Sequence, residues 1–208
     1  MLKKHMPDTA PRIIIFDLGK VIVDFDHMAF CKGVEPFCAF SAEGVYERIF
    51  GSGLEKLFDL GKLSPEEFYE SARSALSLSI DMEHFSRLWS DIFSLQPGIG
   101  AIIERLYRRF RLLCLSNTNP WHFSRCRRQF SALNSFDGFV LSYEEKCCKP
   151  DSGIFNAALR KAGVPARQCI FIDDIAENVH AARGLGFTSF IFTTVEGLAR
   201  DLAGAGAL

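Results

Sequence analysis

Several features that would narrow the function at once are missing from this sequence. It has almost no net charge, with 24 Lys and Arg against 25 Asp and Glu in 208 residues. A chain so balanced offers no basic field to attract nucleic acid or an anionic membrane surface. One local cluster, Arg105, Arg108, Arg109 and Arg111, reads as the solvated face of a helix. No stretch approaches the roughly 20 apolar residues that a membrane-spanning helix requires. The segment Met1–Pro11 is short and polar, with no apolar run to target or anchor it. Internal repeats are absent, and the one biased stretch, Ala203–Leu208, is expected to fray. The five His show no metal-ligand spacing and suggest surface or packing roles. The seven Cys (31, 38, 114, 126, 147, 148 and 169) are odd in number and lack zinc-like spacing. Reduced thiols in a cytoplasmic protein are therefore expected, with Cys114 and Cys169 as small core residues.

What is present points to a packed domain. Hydrophobic residues make up 48% of the chain, which is enough for a sizeable core and argues against disorder. Phe is abundant, 20 against 4 Tyr and 2 Trp, and is assigned to core packing; Phe25, Phe30 and Phe50 are among these. Five short apolar runs, Arg12–Phe16, Arg111–Ser116, Gly138–Ser142, Gln168–Ile172 and Thr188–Thr193, read as buried parallel strands. Helical patterns at Pro97–Phe110, Ser152–Ala162 and Glu177–Leu185 alternate with the later ones. The alternation predicts an α/β fold with a Rossmann-like, doubly wound parallel sheet. It breaks down between residues 26 and 95, where the pattern is helical and no strand is evident. Within it, Ser64-Pro65-Glu66-Glu67 is a helix start with a capping Ser and a Glu three residues on. Such a segment is too long for an ordinary crossover and is read as an inserted helical cap on a core of residues 1–25 and 96–208.

In an open α/β sheet, ligands bind beyond the carboxyl ends of the strands. Asp17 follows the first run, and Ser116, Asn117 and Thr118 follow the second. Lys149 comes shortly after the third, and Asp173-Asp174 ends the fourth. A carboxylate can attack phosphorus to give an acyl phosphate that water later cleaves. Attack by an anion on an anion needs neutralising charge, from an oxygen-ligated magnesium ion and from a Lys. Each feature alone is ordinary: an Asp after a strand is commonly a turn residue. Two adjacent acids ending a buried strand say more, since they repel unless something cationic sits there.

In that order the motifs resemble the haloacid dehalogenase-like hydrolase superfamily, in its phosphatase branch with a helical cap. They are Phe16-Asp17-Leu18-Gly19-Lys20-Val21, Leu115-Ser116-Asn117-Thr118, Lys149-Pro150-Asp151 and Phe171-Ile172-Asp173-Asp174, the last followed by Glu177-Asn178. The chain is similar to a bacterial subgroup that includes glucose 1-phosphate phosphatases. The resemblance implies Asp17 as nucleophile, Ser116 and Asn117 as phosphate-binding residues, and Lys149 as the charge-neutralising cation. It further implies Mg2+ held by Asp17, the Gly19 backbone carbonyl, Asp173 and Asp174. The implied partner is a small phosphorylated metabolite, and the chain a monomer or homodimer.

Two positions depart from the pattern. The general family carries a second Asp two residues after the nucleophile, as general acid and base; here that position is Gly19. Such assistance is typically worth about 10²–10⁴-fold. The resembled subgroup also has Gly there, so better leaving groups, water or a substrate hydroxyl could compensate, and Asp24 is a remote stand-in. The second departure, Glu145-Lys146, is expected to point to solvent. His27 sits near the presumed hinge, and Trp121 and His122 could line the pocket mouth. Three rival functions stay open. A 2-haloacid dehalogenase is compatible with Gly19 but has no use for Asp173-Asp174. A non-catalytic phospho-ligand module would not need Asp17, Ser116, Lys149 and Asp174 together. A phosphomutase would need the missing acid.

Overall fold

The computed structural model describes residues 10–208, so the expectation for Met1–Pro11 falls, up to residue 9, outside the described residues. Five strands form the main sheet: β1 (Ile13–Phe16), β4 (Arg111–Ser116), β5 (Gly138–Leu141), β6 (Cys169–Asp173) and β7 (Thr188–Ile191). Their order is β5-β4-β1-β6-β7, and every neighbouring pair is parallel. The expected doubly wound parallel sheet is therefore present. After β1 the chain builds outward through β4 to β5, then returns to β6 on the other side of β1. The strand order reverses there, beside β1, where such sheets open a crevice.

The continuous apolar runs make sense in this setting, because pleating sends alternate residues to opposite faces. Ile14 and Phe16 pack in one cluster with Ile99, Ile102, Ile103 and Leu106 of α6 (Ile99–Tyr107) and Leu198 and Leu202 of α11 (Val195–Gly204). Ile13 and Ile15 pack in another with Ile154 and Phe155 of α9 (Ser152–Ala162) and Ala182 of α10 (Ala176–Gly184). Register then positions the site. Phe16 lies opposite Cys114 on one side and Ile172 on the other. Asp17 thus emerges level with Asp173 and one residue short of Ser116.

Five helices separate the halves of the sheet: α1 (His27–Val34), α2 (Ala42–Tyr46), α3 (Leu54–Asp59), α4 (Pro65–Leu76) and α5 (Met82–Ser90). The start of α4 is a full capping box, with Ser64 Oγ accepting from the Glu67 N–H and Glu67 Oε2 accepting from the Ser64 N–H. These helices bury their own cluster, in which Phe30, Phe58, Phe68, Phe85 and Trp89 are all enclosed. Phe58 stacks on Phe68 with centroids 4.4 Å apart.

The segment also contains a strand that its pattern does not reveal. β2 (Val23–Phe25) and β3 (Phe93–Leu95) pair antiparallel, so the chain enters and leaves the helical body through one ribbon. At three residues each, the strands are too short for alternation to register. Two further helices, α11 and α7 (Pro120–Gln129), were not expected either. The Asn119-Pro120 pair that starts α7 is a legible capping signal, since Asn119 Oδ1 accepts from the His122 N–H.

Two expectations need correction. The C-terminal residues do not fray: Ala207 is buried in the core cluster, its N–H donates to the Leu202 carbonyl, and Leu208 packs against the same cluster. Nor are the arginines a uniform solvated face. Arg109 donates to the Ala207 carbonyl and Arg111 to the Ala162 carbonyl, while Arg108 pairs with Glu104. Both corrections have one cause: backbone acceptors at a helix end or a chain end can be satisfied by Arg as well as by water. All seven cysteines are unpaired, with Cys114 and Cys169 buried. Among the described residues, no helix is long and apolar enough to cross a membrane. Deleting residues 205–208 should lower unfolding stability by about 1–2 kcal/mol, through lost burial and the orphaned Arg109 contact. A urea titration of the two forms would show the shift in midpoint.

Candidate active site

Four side chains converge at the carboxyl edge of β1 and β6. Lys149 Nζ lies 2.7 Å from Asp17 Oδ1 and 2.6 Å from Asp173 Oδ2, and all three residues are buried. Asp173 is fully engaged, because its Oδ1 accepts from the Ile175 N–H and from Asn178 Nδ2. Asp174 stands beside it, half-buried. Asp17, Asp173 and Asp174 each offer a carboxylate oxygen within 4.8 Å of the others. Three carboxylates thus face one ammonium.

The electrostatics follow from that imbalance. Burial, opposed by Lys149 and reinforced by Asp173, pushes Asp17 up to about 7. Burial and the neighbouring Asp173 raise Asp174 as well. Burial works against charge on Lys149, but Asp17 and Asp173 outweigh it and hold its pKa above the usual lysine value. An oxygen-only donor set with surplus negative charge suits a hard divalent cation, so these residues fit magnesium.

The loop after β4 holds Lys149 in place. Asn117 Oδ1 accepts from the Lys149 N–H and Asn117 Nδ2 donates to the Lys149 carbonyl, at 2.8 and 3.0 Å. The Asn117 side chain is therefore committed to positioning Lys149, whereas Ser116 is buried at the edge of the crevice. At Gly19, an added Cβ would sit 3.0 Å from the Phe25 ring, a tight contact that the ring would have to ease. Asp24 is turned away, exposed and paired with Lys20, whose Nζ also donates to the Phe25 carbonyl.

Two recesses with shared walls open at this edge of the sheet. One, about 140 Å³, is lined by Asp17, Gly19, Lys149 and Asp174. The other, about 180 Å³, shares Gly19, Phe25 and Asn117 with it and adds His27, Glu55, Asp59, Ser116, Thr118 and His122. Two wider clefts, about 480 and 590 Å³, contain none of the carboxylate cluster. Sequence reasoning missed Glu55 and Asp59, which lie one helical turn apart on α3. In the sequence they are two unremarked acids of a helix, and only the fold turns them towards Gly19.

Asn119 was missed as well, and it joins the helical body to the sheet. Its Nδ2 donates to Asp59 Oδ1 at 2.9 Å and to His122 Nδ1 at 3.0 Å. Its Oδ1 accepts from the His122 N–H and from Trp89 Nε1. His122 Nε2 in turn donates to the Trp89 carbonyl. Two more contacts cross the same boundary. Ser142, which begins the short helix α8 (Ser142–Glu145), brings its hydroxyl 2.6 Å from the Asp59 carbonyl and accepts from the Thr118 N–H. Lys146 is exposed, as expected, and its ammonium also donates to the Gly61 carbonyl. Gly61 has φ +59°, and a Cβ there would meet the Tyr143 carbonyl at 2.2 Å. Trp121 sits edge-on to Phe58, so it packs with the helical body.

The haloacid dehalogenase-like hydrolase family matches residues 11–186, and the chain belongs to it. A D-ribitol-5-phosphate phosphatase of Bacteroides thetaiotaomicron is 30% identical over 85% of this chain and 89% of its own length. A phosphatase of Mycobacterium tuberculosis is 26% identical over 94% of this chain and 95% of its own. A HAD family enzyme of Bacteroides thetaiotaomicron, solved with magnesium and inorganic phosphate, superposes with a TM-score of 0.81. It is 22% identical, covers 92% of this chain and 98% of its own, and shows a shared fold. The resemblance to phosphatases of small phosphorylated compounds thus holds at the level of relatives.

Burial drives His122 down to about 3, so it is neutral when folded and takes up a proton near pH 6.5 when unfolded. The unfolded chain therefore binds more protons between those values, and stability is lost as pH falls through that window. Glu55 and Asp59, raised by burial, contribute the opposite slope. The comparison must therefore be with a variant: His122→Gln should show a weaker loss of stability than wild type between pH 6.5 and pH 4, read from urea midpoints.

Proposed function

We propose that the protein is a magnesium-dependent phosphatase that hydrolyses a small phosphate monoester through an aspartyl-phosphate intermediate. The observation that carries this reading is the Lys149 ammonium held between Asp17 and Asp173, with Asp174 completing a three-carboxylate cluster at the sheet edge. The relatives support it: one is a D-ribitol-5-phosphate phosphatase, and a structural neighbour was solved with magnesium and inorganic phosphate.

In this reading Asp17 attacks phosphorus, and its Oδ–P bond forms as the ester P–O bond breaks. Lys149 keeps Asp17 oriented and draws negative charge from the phosphoryl oxygens as it builds up. Ser116 offers its hydroxyl to the same oxygens, and Asn117 acts by fixing the Lys149 backbone. Asp17, the Gly19 carbonyl, Asp173 and Asp174 would hold magnesium, with Asp174 the freer of the paired acids. Bound there, the ion supplies the cationic charge that one lysine leaves short. Water then cleaves the acyl phosphate and regenerates the carboxylate. Residues 26–95 act as a cap over a core of residues 1–25 and 96–208, and their side of the 180 Å³ recess selects the leaving group. Unpaired cysteines suit a cytoplasmic setting.

Phosphate release from a panel of sugar, polyol and aryl phosphates tests the reaction. Release should require magnesium and fall by roughly 10⁴-fold or more in Asp17→Asn. Halide release from a 2-haloacid without metal would overturn the reading in favour of dehalogenation. Magnesium at ten times its Kd should also stabilise the wild type by about 1.4 kcal/mol. Asp174→Asn should lose that gain, which a thermal melt with and without the ion would reveal.

A further inference from the structure

The family's general acid is missing at Gly19, where a Cβ would meet the Phe25 ring at 3.0 Å. A replacement would have to reach the same recess from elsewhere. Asp24 does not, because it is exposed and paired with Lys20. Two carboxyl groups do line the recess with Gly19, Ser116 and Thr118: Glu55 and Asp59 of α3. Asp59 is committed, since its Oδ1 accepts from Asn119 and its carbonyl lies against the Ser142 hydroxyl. Glu55 has no such anchor on the sheet side. Its Oε1 lies 3.5 Å from His27 Nε2, and the His27 ring is stacked on Phe50 at 4.3 Å and packed against Phe25 at 4.9 Å. Phe50 belongs to the π-helical turn Glu47–Gly51.

We propose that Glu55, reaching from the helical body into the recess beside Gly19, is the proton donor and acceptor of the phosphatase reaction. The role rests on the phosphatase reading above. When Asp17 attacks and the ester P–O bond breaks, the Glu55 proton passes to the departing oxygen, which leaves as the alcohol. The Glu55 carboxylate then takes a proton from the water that attacks phosphorus. The P–O bond to Asp17 breaks, and both residues return to their starting states. The sum is ester plus water to alcohol plus phosphate. Burial and the charge of Asp59 raise Glu55 to about 8, so it carries the needed proton at neutral pH. His27 is lowered by burial and by nearby Lys20, and stays neutral beside it. The helical body then brings the acid with it, so proton donation depends on its being docked against the sheet.

The test is rapid-mixing kinetics of Glu55→Gln with magnesium, using 4-nitrophenyl phosphate and propyl phosphate. An aryl oxide leaves without a proton, so the variant should release about one equivalent of nitrophenol in a burst. Turnover should then be about 10²–10⁴-fold slower than in wild type. Propyl phosphate, whose alkoxide needs the proton, should show no burst and a similar fall in kcat with KM little changed. Formate added to Glu55→Ala should restore part of the lost turnover, which separates missing chemistry from a misfolded site. Turnover of both esters near the wild-type rate would overturn the proposal. So would an effect confined to the KM of hydroxylated substrates, which marks hydroxyl binding, or the burst pattern appearing in Asp59→Asn instead. Loss of burst and turnover without formate rescue would count against it too. Absence of magnesium-dependent release by the wild type would remove the phosphatase reading, and this role with it.

Discussion

The Lys149 ammonium between Asp17 and Asp173 is the contact on which the rest of the site depends. A lysine this deeply buried would be strongly destabilising alone, and two nearby carboxylates would repel each other without it. Each charge is tolerable only because the others are within 3 Å. That condition sets the architecture around it. The register of β1 and β6 must bring Asp17 level with Asp173, and Asn117 must grip the Lys149 backbone from both sides. The residual negative charge is what leaves the cluster ready for a cation.

The chamber beyond this cluster is built from both halves of the molecule. Glycine, serine and threonine positions from the sheet edge form one wall, and His27, Glu55 and Asp59 form the other. The halves are joined by few but well-satisfied contacts: the Asn119 network, the Ser142 hydroxyl, and the tight approach of Gly61 to Tyr143 and Lys146. Asn119 uses both of its donor hydrogens and both acceptor lone pairs, and a buried amide seldom does better. The recess is therefore a property of the interface, and neither half defines it alone.

The sheet, and the polar residues gathered at its carboxyl edge, were largely legible in the sequence. Continuous apolar runs mark strands covered on both faces, and the polar residues just after them fall at one edge by the geometry of parallel pairing. The helical body was legible as helix from its caps and stripe. What lay hidden depends on long-range placement. The β2–β3 ribbon is too short to carry a period, and its central partners, Asp24 and Ser94, are 70 residues apart. Arg109 and Ala207 meet only because α6 and α11 pack on the same face. Glu55 and Asp59 look like ordinary solvated acids on an amphipathic turn, and nothing local distinguishes an acid facing water from one facing an active site. Asn119 is the exception, since its capping role was written in the Asn-Pro pair.

The Phe25 ring over Gly19 has a consequence for how such a chain can change over generations. Because the ring lies 3.0 Å from where a Cβ would be, an aspartate arising at that position asks the ring to give by a few tenths of an ångström. Phe25 is itself held by Phe93 across the ribbon and by His27 beside it, so it does not yield easily. Regaining the family's usual acid therefore draws on the packing around Phe25 as well as on the position itself. The two positions are thus coupled, and a change of size at either is felt at the other.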